Sequence, residues 1–255
     1  MAPSQRVTPS ACLPRDGASA RPSAQGLTFD VAKTTDEVVE AWGLVYQSYL
    51  HAGLIRPNQA GIHTVPQAIG PNTAVICGRL DSLVVSTLTA YLEGPEGLPL
   101  DAVYPDELRA LRDDGKVLLE LGLFADRREQ LQRSIEALLE LMRFGTYFGV
   151  RVGATHGVIG VHPRHVDFYT RLLAFDLIGP EKTYPLVKDH PVVLLQLDWY
   201  GKTKLKAPPR GLVHFMKNPL TAEAFQNRAM FDREALAGSA IESFLQVSSD
   251  AGQAA

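Results

Sequence analysis

The chain has 255 residues, 45% hydrophobic and 21% charged, with a formal net charge of -3. That length fits an ordinary soluble globular protein of one large domain or two small ones, and the small net charge speaks against a dedicated nucleic-acid binder. No run approaches the roughly 18 to 20 apolar residues of a membrane span and the N-terminus lacks a signal-peptide core, so a cytoplasmic enzyme or binding protein is expected. The two cysteines, Cys12 and Cys77, can assemble neither a disulfide framework nor a thiolate zinc site.

Residues 1–26 carry Pro3, Pro9, Pro14 and Pro22 among four Ser and five Ala. With no hydrophobic period, they read as a disordered tail. Leu27, Phe29 and Val31 alternate as in a half-buried strand over 27–32. A helix follows, capped by Thr35 or Asp36, with Val38, Val39, Trp42, Val45, Tyr46 and Tyr49 at helical spacing until Gly53 stops it. A short helix is expected near 64–69. Two β-rich runs, 73–80 and 83–92, are separated only by Asp81 and Ser82 and predict a hairpin. A short helix is placed at 106–112. A largely apolar strand over 116–124, interrupted by Glu120, precedes a long helix over 128–147.

The spacing next predicts a strand over 151–161, a helix over 165–173, and strands at 175–178 and 192–199. This is a mixed α/β order with helices on both faces of one sheet. No internal repeat is visible. From Tyr200 the composition changes: Lys202, Lys204, Lys206, Arg210 and Lys217 occur with no acid before Asn218, followed by a helical stretch over 221–245. Residues 200–255 therefore read as a basic linker and helical C-terminal extension of a domain spanning 27–199.

That element order resembles the acyltransferase fold of the GNAT superfamily. The text is more specific. GLPLDAVYPDELRALRDDGKVLLELGLFAD from Gly97 to Asp126, GVHPRHVDFYTRLLAFDLIGPEKTYPLVKDHPVVLLQLD from Gly160 to Asp198, and YQSYLHAGLI from Tyr46 to Ile55 resemble the bacterial N-acyl amino acid synthases, which join a long fatty acyl chain to an amino acid. These are similar in turn to acyl-homoserine-lactone synthases, whose Glu, aromatic and Asp pattern is echoed by Glu120, Phe124 and Asp126. Leu123 stands where the lactone synthases usually carry Arg, which favours the amino-acid reading. The resemblance implies a mixed, mostly antiparallel sheet whose fourth and fifth strands splay to admit a pantetheine arm.

It also implies a thioester donor held at the end of the fourth strand, by Leu121, Gly122, Leu123 and Phe124 and by the next helix N-terminus. There Arg127, Arg128 and Arg133 offer cations, or form a solvated helix start, and no glycine occurs from 127 to 134. The single phosphodiester of an acyl carrier protein's phosphopantetheine asks less of such a loop than the diphosphate of coenzyme A, so acyl carrier protein is the expected partner, with acyl-CoA the alternative.

Glu120, a carboxylate in an apolar strand, suits a general base whose pKa burial raises, or a structural carboxylate bonded to backbone or Arg. Tyr169 is placed where the fold often carries a Tyr that protonates the departing thiolate, with packing as the other reading. Tyr46, Tyr49 and Arg56, and His156 if its strand turns it inward, are the acceptor-side candidates. His162 and His165 have no third ligand at metal spacing, so no metal is assigned. A glyoxalase-type metal module needs a repeat that residues 27–120 lack. A non-catalytic acyl-binding or regulatory protein of the same fold is the reading from another class.

Overall fold

The computed structural model describes residues 26–127, 131, 135–231 and 236–253. Residues 1–25 of the tail expected over 1–26, and residues 128–130 and 132–134 of the helix expected over 128–147, lie outside them. Strand β1 (Leu27–Val31) leads into helix α1 (Thr35–His51). The cap is Thr34, one residue before the predicted pair: its hydroxyl accepts from the Glu37 N–H, and the Glu37 carboxylate accepts from the Lys33 N–H at 2.7 Å. This reciprocal arrangement satisfies two end donors. Gly53, at φ +75°, ends α1 as a left-handed residue.

Strands β2 (Thr73–Leu80) and β3 (Leu83–Leu92) form the predicted hairpin, with Asp81 at φ +55° in the turn. Helix α2 (Pro105–Asp113), strand β4 (Leu118–Asp126), helix α3 (Ile135–Arg151) and strand β5 (His156–Val161) follow. The strand expected from residue 151 begins only at His156. Residues 148–151 complete the last turns of α3, and Gly153 at φ +86° supplies the stop that the apolar pattern hid. Helix α4 (Val166–Leu173) and strands β6 (Asp176–Tyr184) and β7 (His190–Asp198) complete the sheet and its covering. Strand β6 is longer than predicted despite Pro180, because it lies at the sheet edge and its register shifts twice.

The seven strands form one sheet in the order β1-β2-β3-β4-β5-β7-β6. All neighbours are antiparallel except β4 and β5. On one face, α1 packs Val38, Ala41, Trp42 and Val45 with Val75, Cys77, Tyr91, Leu118 and Val158. On the other, α3 packs Leu141, Met142, Phe144 and Phe148 with Ile76, Leu88, Leu119, Leu121 and Ile159. The alternation of β4, with Leu119 and Leu121 on one face and Leu118 and Glu120 on the other, follows the two-residue strand period, which an irregularity opposite Leu88 breaks so that Leu123 joins the face of Leu118.

The segment after β7 differs from the expected linker and single helical stretch. A helical turn (Trp199–Lys202) buries the Trp199 ring against Gly149 and Gly157, where any Cβ would collide with it. Helix α5 (Arg210–Lys217) docks on α3 through Phe215, whose carbonyl accepts from the Tyr147 hydroxyl at 2.9 Å. Phe225 fills the space beside Phe144 and Phe148. The chain then passes the sheet end: Arg228 donates to the Thr73 and Pro71 carbonyls, and the Ala229 N–H to the Ala32 carbonyl. On the α1 face Phe231 stacks on Trp42 with centroids 5.6 Å apart, and helix α6 (Ala240–Gln253) buries Ile241. The extension is thus part of both cores.

Candidate active site

The sheet opens between its two parallel strands. Leu118, Leu119 and Glu120 pair with His156, Gly157 and Val158, and there the pairing of β4 with β5 ends although β4 runs on to Asp126. Just beyond, β4 is bulged: Thr87 faces Ala125 and Thr89 faces Gly122, so Leu123 and Phe124 together oppose Leu88. Leu123 sits at φ +51°, a conformation that costs a side-chain-bearing residue about 1–2 kcal/mol. A bulge withdraws a residue from the ladder and re-aims its backbone, here beside the opening.

A cavity of about 120 Å³ lies at this point and passes from one face of the sheet to the other. On the α3 side it is lined by Leu88, Leu121, Met142 and Ile159. On the α1 side it is lined by Tyr49, His63, Tyr91, Leu100, Glu120 and Tyr184, and Tyr169 of α4 also reaches it. One half is apolar and the other rich in hydroxyls.

Glu120 stands between the halves, 4% exposed. Its Oε1 accepts from the Tyr91 hydroxyl at 2.9 Å and its Oε2 from the Leu100 N–H at 3.2 Å. Desolvation outweighs both bonds and lifts its pKa from 4.5 to about 8. Burial also raises the Tyr49, Tyr91 and Tyr184 phenols, and lifts Tyr169 to about 12. The same cause lowers His63 to about 4, so its imidazole is neutral at ordinary pH. At neutral pH, therefore, Glu120 alone among these groups is poised to exchange a proton.

Glu120, Leu121, Gly122, Leu123, Phe124, Tyr49 and Tyr169 are brought together at the cavity. The other named candidates are placed elsewhere. Tyr46 exchanges hydrogen bonds with the Asn58 backbone and steadies the loop after α1. Arg56 is exposed. Arg127 turns back onto β3, its Nε donating to the Val84 carbonyl at 3.1 Å. His156 is buried at the start of β5, at the closed end of the parallel pairing, with Nδ1 3.0 Å from the Thr155 hydroxyl. Arg128 and Arg133 lie outside the described residues. Among the described residues no cluster of three or more His, Cys, Asp or Glu could hold a metal, and no helix is long and apolar enough to cross a membrane.

Sequence reasoning missed His63, Tyr91, Tyr184 and the Leu100 N–H. Tyr91 is the direct cross-strand partner of Glu120, but the long connection between β3 and β4 hides that register. Nothing in the local sequence marks His63, which reaches the cavity from a loop packed under Phe244 of the extension.

Comparison with known proteins agrees with this geometry. The chain superposes on the structure of FeeM, an N-acyl amino acid synthase from uncultured soil microbes, with a TM-score of 0.59, 23% identity, and coverage of 68% of this chain and 91% of that one. It also superposes on BjaI, a CoA-dependent acyl-homoserine lactone synthase, at a TM-score of 0.51, 12% identity, and 78% and 99% coverage. Both likenesses establish the GNAT-like fold. No curated protein matches the chain. The family model for N-acyl amino acid synthase FeeM matches residues 40–198, a stretch that holds strands β2 to β7 and every residue lining the cavity. The chain belongs to that family, and it is an acyltransferase of the N-acyl amino acid synthase type.

Proposed function

We propose that the protein transfers a long-chain fatty acyl group from the phosphopantetheine thioester of an acyl carrier protein to the α-amine of an amino acid. The observation that carries this reading is Glu120, a buried carboxylate at the point where a cavity crosses from an apolar chamber to a polar one. The acyl chain lies along Leu88, Leu121, Met142 and Ile159, and the acceptor lies among Tyr49, His63, Tyr91 and Tyr184. The resting volume of about 120 Å³ is below the roughly 300–1,000 Å³ of ordinary ligand sites. Side chains therefore yield as the chain enters, and the flexible Met142 is suited to that.

In the reaction, the Glu120 carboxylate takes a proton from the acceptor's ammonium group. The neutral amine attacks the thioester carbonyl, forming the C–N bond, and backbone N–H groups of the bulge at Leu123 and Phe124 receive the oxyanion. Collapse breaks the C–S bond, and the nitrogen, left cationic by the attack, gives its second proton to Glu120 once the carboxylate is free again, which releases it to solvent. The departing thiolate, with an ordinary thiol pKa of about 8.5, needs a proton from a comparable acid. Protonated Glu120 at about 8 is matched to it. Tyr169 at about 12 is a much weaker acid than the thiol it would protonate, so its part is to hydrogen-bond the sulfur rather than to surrender the proton.

The carrier-protein donor is supported by the glycine-free stretch 127–134 and by the exposed Lys204, Lys206, Arg210 and Lys217, which suit an acidic carrier. Acyl-CoA is the second reading, favoured by the fold shared with BjaI, described as CoA-dependent. Amide formation measured with each donor at equal acyl chain length decides between them. Equal or better kcat/KM with acyl-CoA rejects the carrier-protein assignment.

A further inference from the structure

Glu120 receives one of its two hydrogen bonds from a backbone N–H, that of Leu100. A backbone donor can be aimed only by fixing the chain that carries it. Leu100 sits in a 3₁₀ turn (Pro99–Ala102) within the connection between β3 and β4. The turn is held from outside the cavity. Asp101 Oδ2 accepts from the Leu98 N–H at 2.8 Å, and both Asp101 oxygens accept from the Arg112 guanidinium at 2.7 Å. Arg112 Nε meets Glu93 at 2.5 Å, at the end of β3. Gly97 completes the arrangement, since a Cβ there would stand 2.7 Å from Asp101 Oδ2.

We propose that Arg112 and Asp101 are positioning residues for the base: their bidentate pair holds the Pro99–Ala102 turn so that the Leu100 N–H meets Glu120 Oε2. The inference rests on Glu120 acting as the base. The physical reason is the strength of fork-to-carboxylate pairing and its fixed geometry. It makes the pH at which Glu120 ionises depend on residues that touch no substrate.

The two members of the pair act on Glu120 with different signs. The Asp101 charge opposes ionisation of Glu120, and Arg112 offsets that charge. The Leu100 N–H favours the ionised form, as a donor to an anion does. Losing Arg112 exposes the Asp101 charge and slackens the turn, and both effects push the Glu120 pKa upward. Losing the Asp101 charge relaxes one effect while losing the other. Around Glu120 the remaining titratable groups are Tyr91 from β3, Tyr49 from α1, Tyr184 from β6, Tyr169 from α4 and His63 from the loop after α1. The phenols stay neutral and His63 is already deprotonated between about pH 5 and pH 9, so none of them confuses the readout.

The test is an infrared difference titration of the Glu120 carboxyl, with Glu120→Gln as the blank, run beside the pH profile of kcat. Wild type, Arg112→Met, Arg112→Lys and Asp101→Asn are compared. Arg112→Met should move the Glu120 titration up by about one pH unit, which leaves about tenfold less carboxylate at neutral pH, with kcat recovering at alkaline pH. Arg112→Lys keeps the charge and loses the fork, so it should shift less, and it carries the test should the Met variant fail to fold. Asp101→Asn should shift less than Arg112→Met. An unmoved Glu120 titration in the Arg112 variants, or a drop in kcat by the same factor at every pH, overturns the proposal. A titration that moves while the kcat profile stays put upholds the positioning role and rejects Glu120 as the base.

Discussion

Replacing Glu120 by Gln should weaken catalysis and strengthen the fold, and the two effects separate with pH. Below the ordinary carboxyl pKa, Glu120 is protonated in both folded and unfolded chains and contributes no pH dependence. Above about 4.5 the unfolded chain releases the proton while the folded chain holds it until about 8. Stability therefore falls as pH rises through that window, and the loss is complete above the folded value. At about 1.4 kcal/mol per pH unit the window amounts to roughly 5 kcal/mol. Gln is neutral throughout and retains an oxygen to accept from Tyr91 or Leu100. Urea denaturation from about pH 4 to about pH 9 should show the variant near wild type in acid and several kcal/mol more stable in alkali. Its kcat/KM should fall by about 10²–10⁴, with the alkaline rise near pH 8 abolished. A stability difference independent of pH would mean that Glu120 ionises as an exposed carboxylate does, and would refute the assignment of a buried, poised base.

Three further outcomes follow from the packing. Gly145→Ala places a Cβ 2.6 Å from Leu121 Cδ2 and 3.3 Å from Leu88 Cδ2, driving both tips toward the apolar half of the cavity. The helix-propensity gain of about 0.5–1 kcal/mol is offset by an overpacking cost of about 1–3 kcal/mol, while kcat/KM should fall for long acyl donors and less for short ones, as a chain-length series would show. Phe244→Ala removes the ring set edge-on to His63 at 6.2 Å. KM for the acceptor should rise while that for the donor is unchanged. Reversing charge at the exposed Lys204 and Lys206 should slow the carrier-dependent rate at low salt and converge with wild type at high salt. An unchanged rate at low salt would place the dock elsewhere.

The strand and helix order was legible because burial writes a period into the sequence, and the hairpin of β2 and β3 shows its bounds in two apolar runs divided by Asp81 and Ser82. Glu120 was legible for the opposite reason: a carboxylate breaks an apolar run, and its desolvation marks it. The partners of Glu120 were not legible. Tyr91 is one aromatic residue among several in a buried strand, and only the β3–β4 register identifies it. His156 is a polar residue on the neighbouring strand, and the sequence could not say which face it takes. Yet the parallel pairing places it two residues before Val158, on the closed side of the opening. The C-terminal extension read as a linker because its buried residues, Leu212, Phe215, Phe225 and Ile241, are spread through polar text and pack against surfaces that only the finished sheet provides.

The connection between β3 and β4 serves both the sheet and Glu120. Antiparallel neighbours can be joined by two residues, whereas here the chain leaves β3 at Leu92 and returns at Leu118. The excess length spans the gap in the sheet. Leu100 packs against Gly160 of β5, where a Cβ would stand 2.7 Å from its tip. The Tyr104 hydroxyl lies 2.8 Å from the Pro180 carbonyl and 2.7 Å from that of Val192, tying the connection to β6 and β7. A sheet that splays to admit a substrate loses ladder bonds between β4 and β5 and leaves its two halves joined by only three residue pairs. The connection restores that link from above and delivers the Leu100 N–H to Glu120 in the same span. Rigidity of the opened sheet and placement of Glu120 are therefore one structural solution. Weakening the connection at Tyr104, which does not line the cavity, should loosen both together.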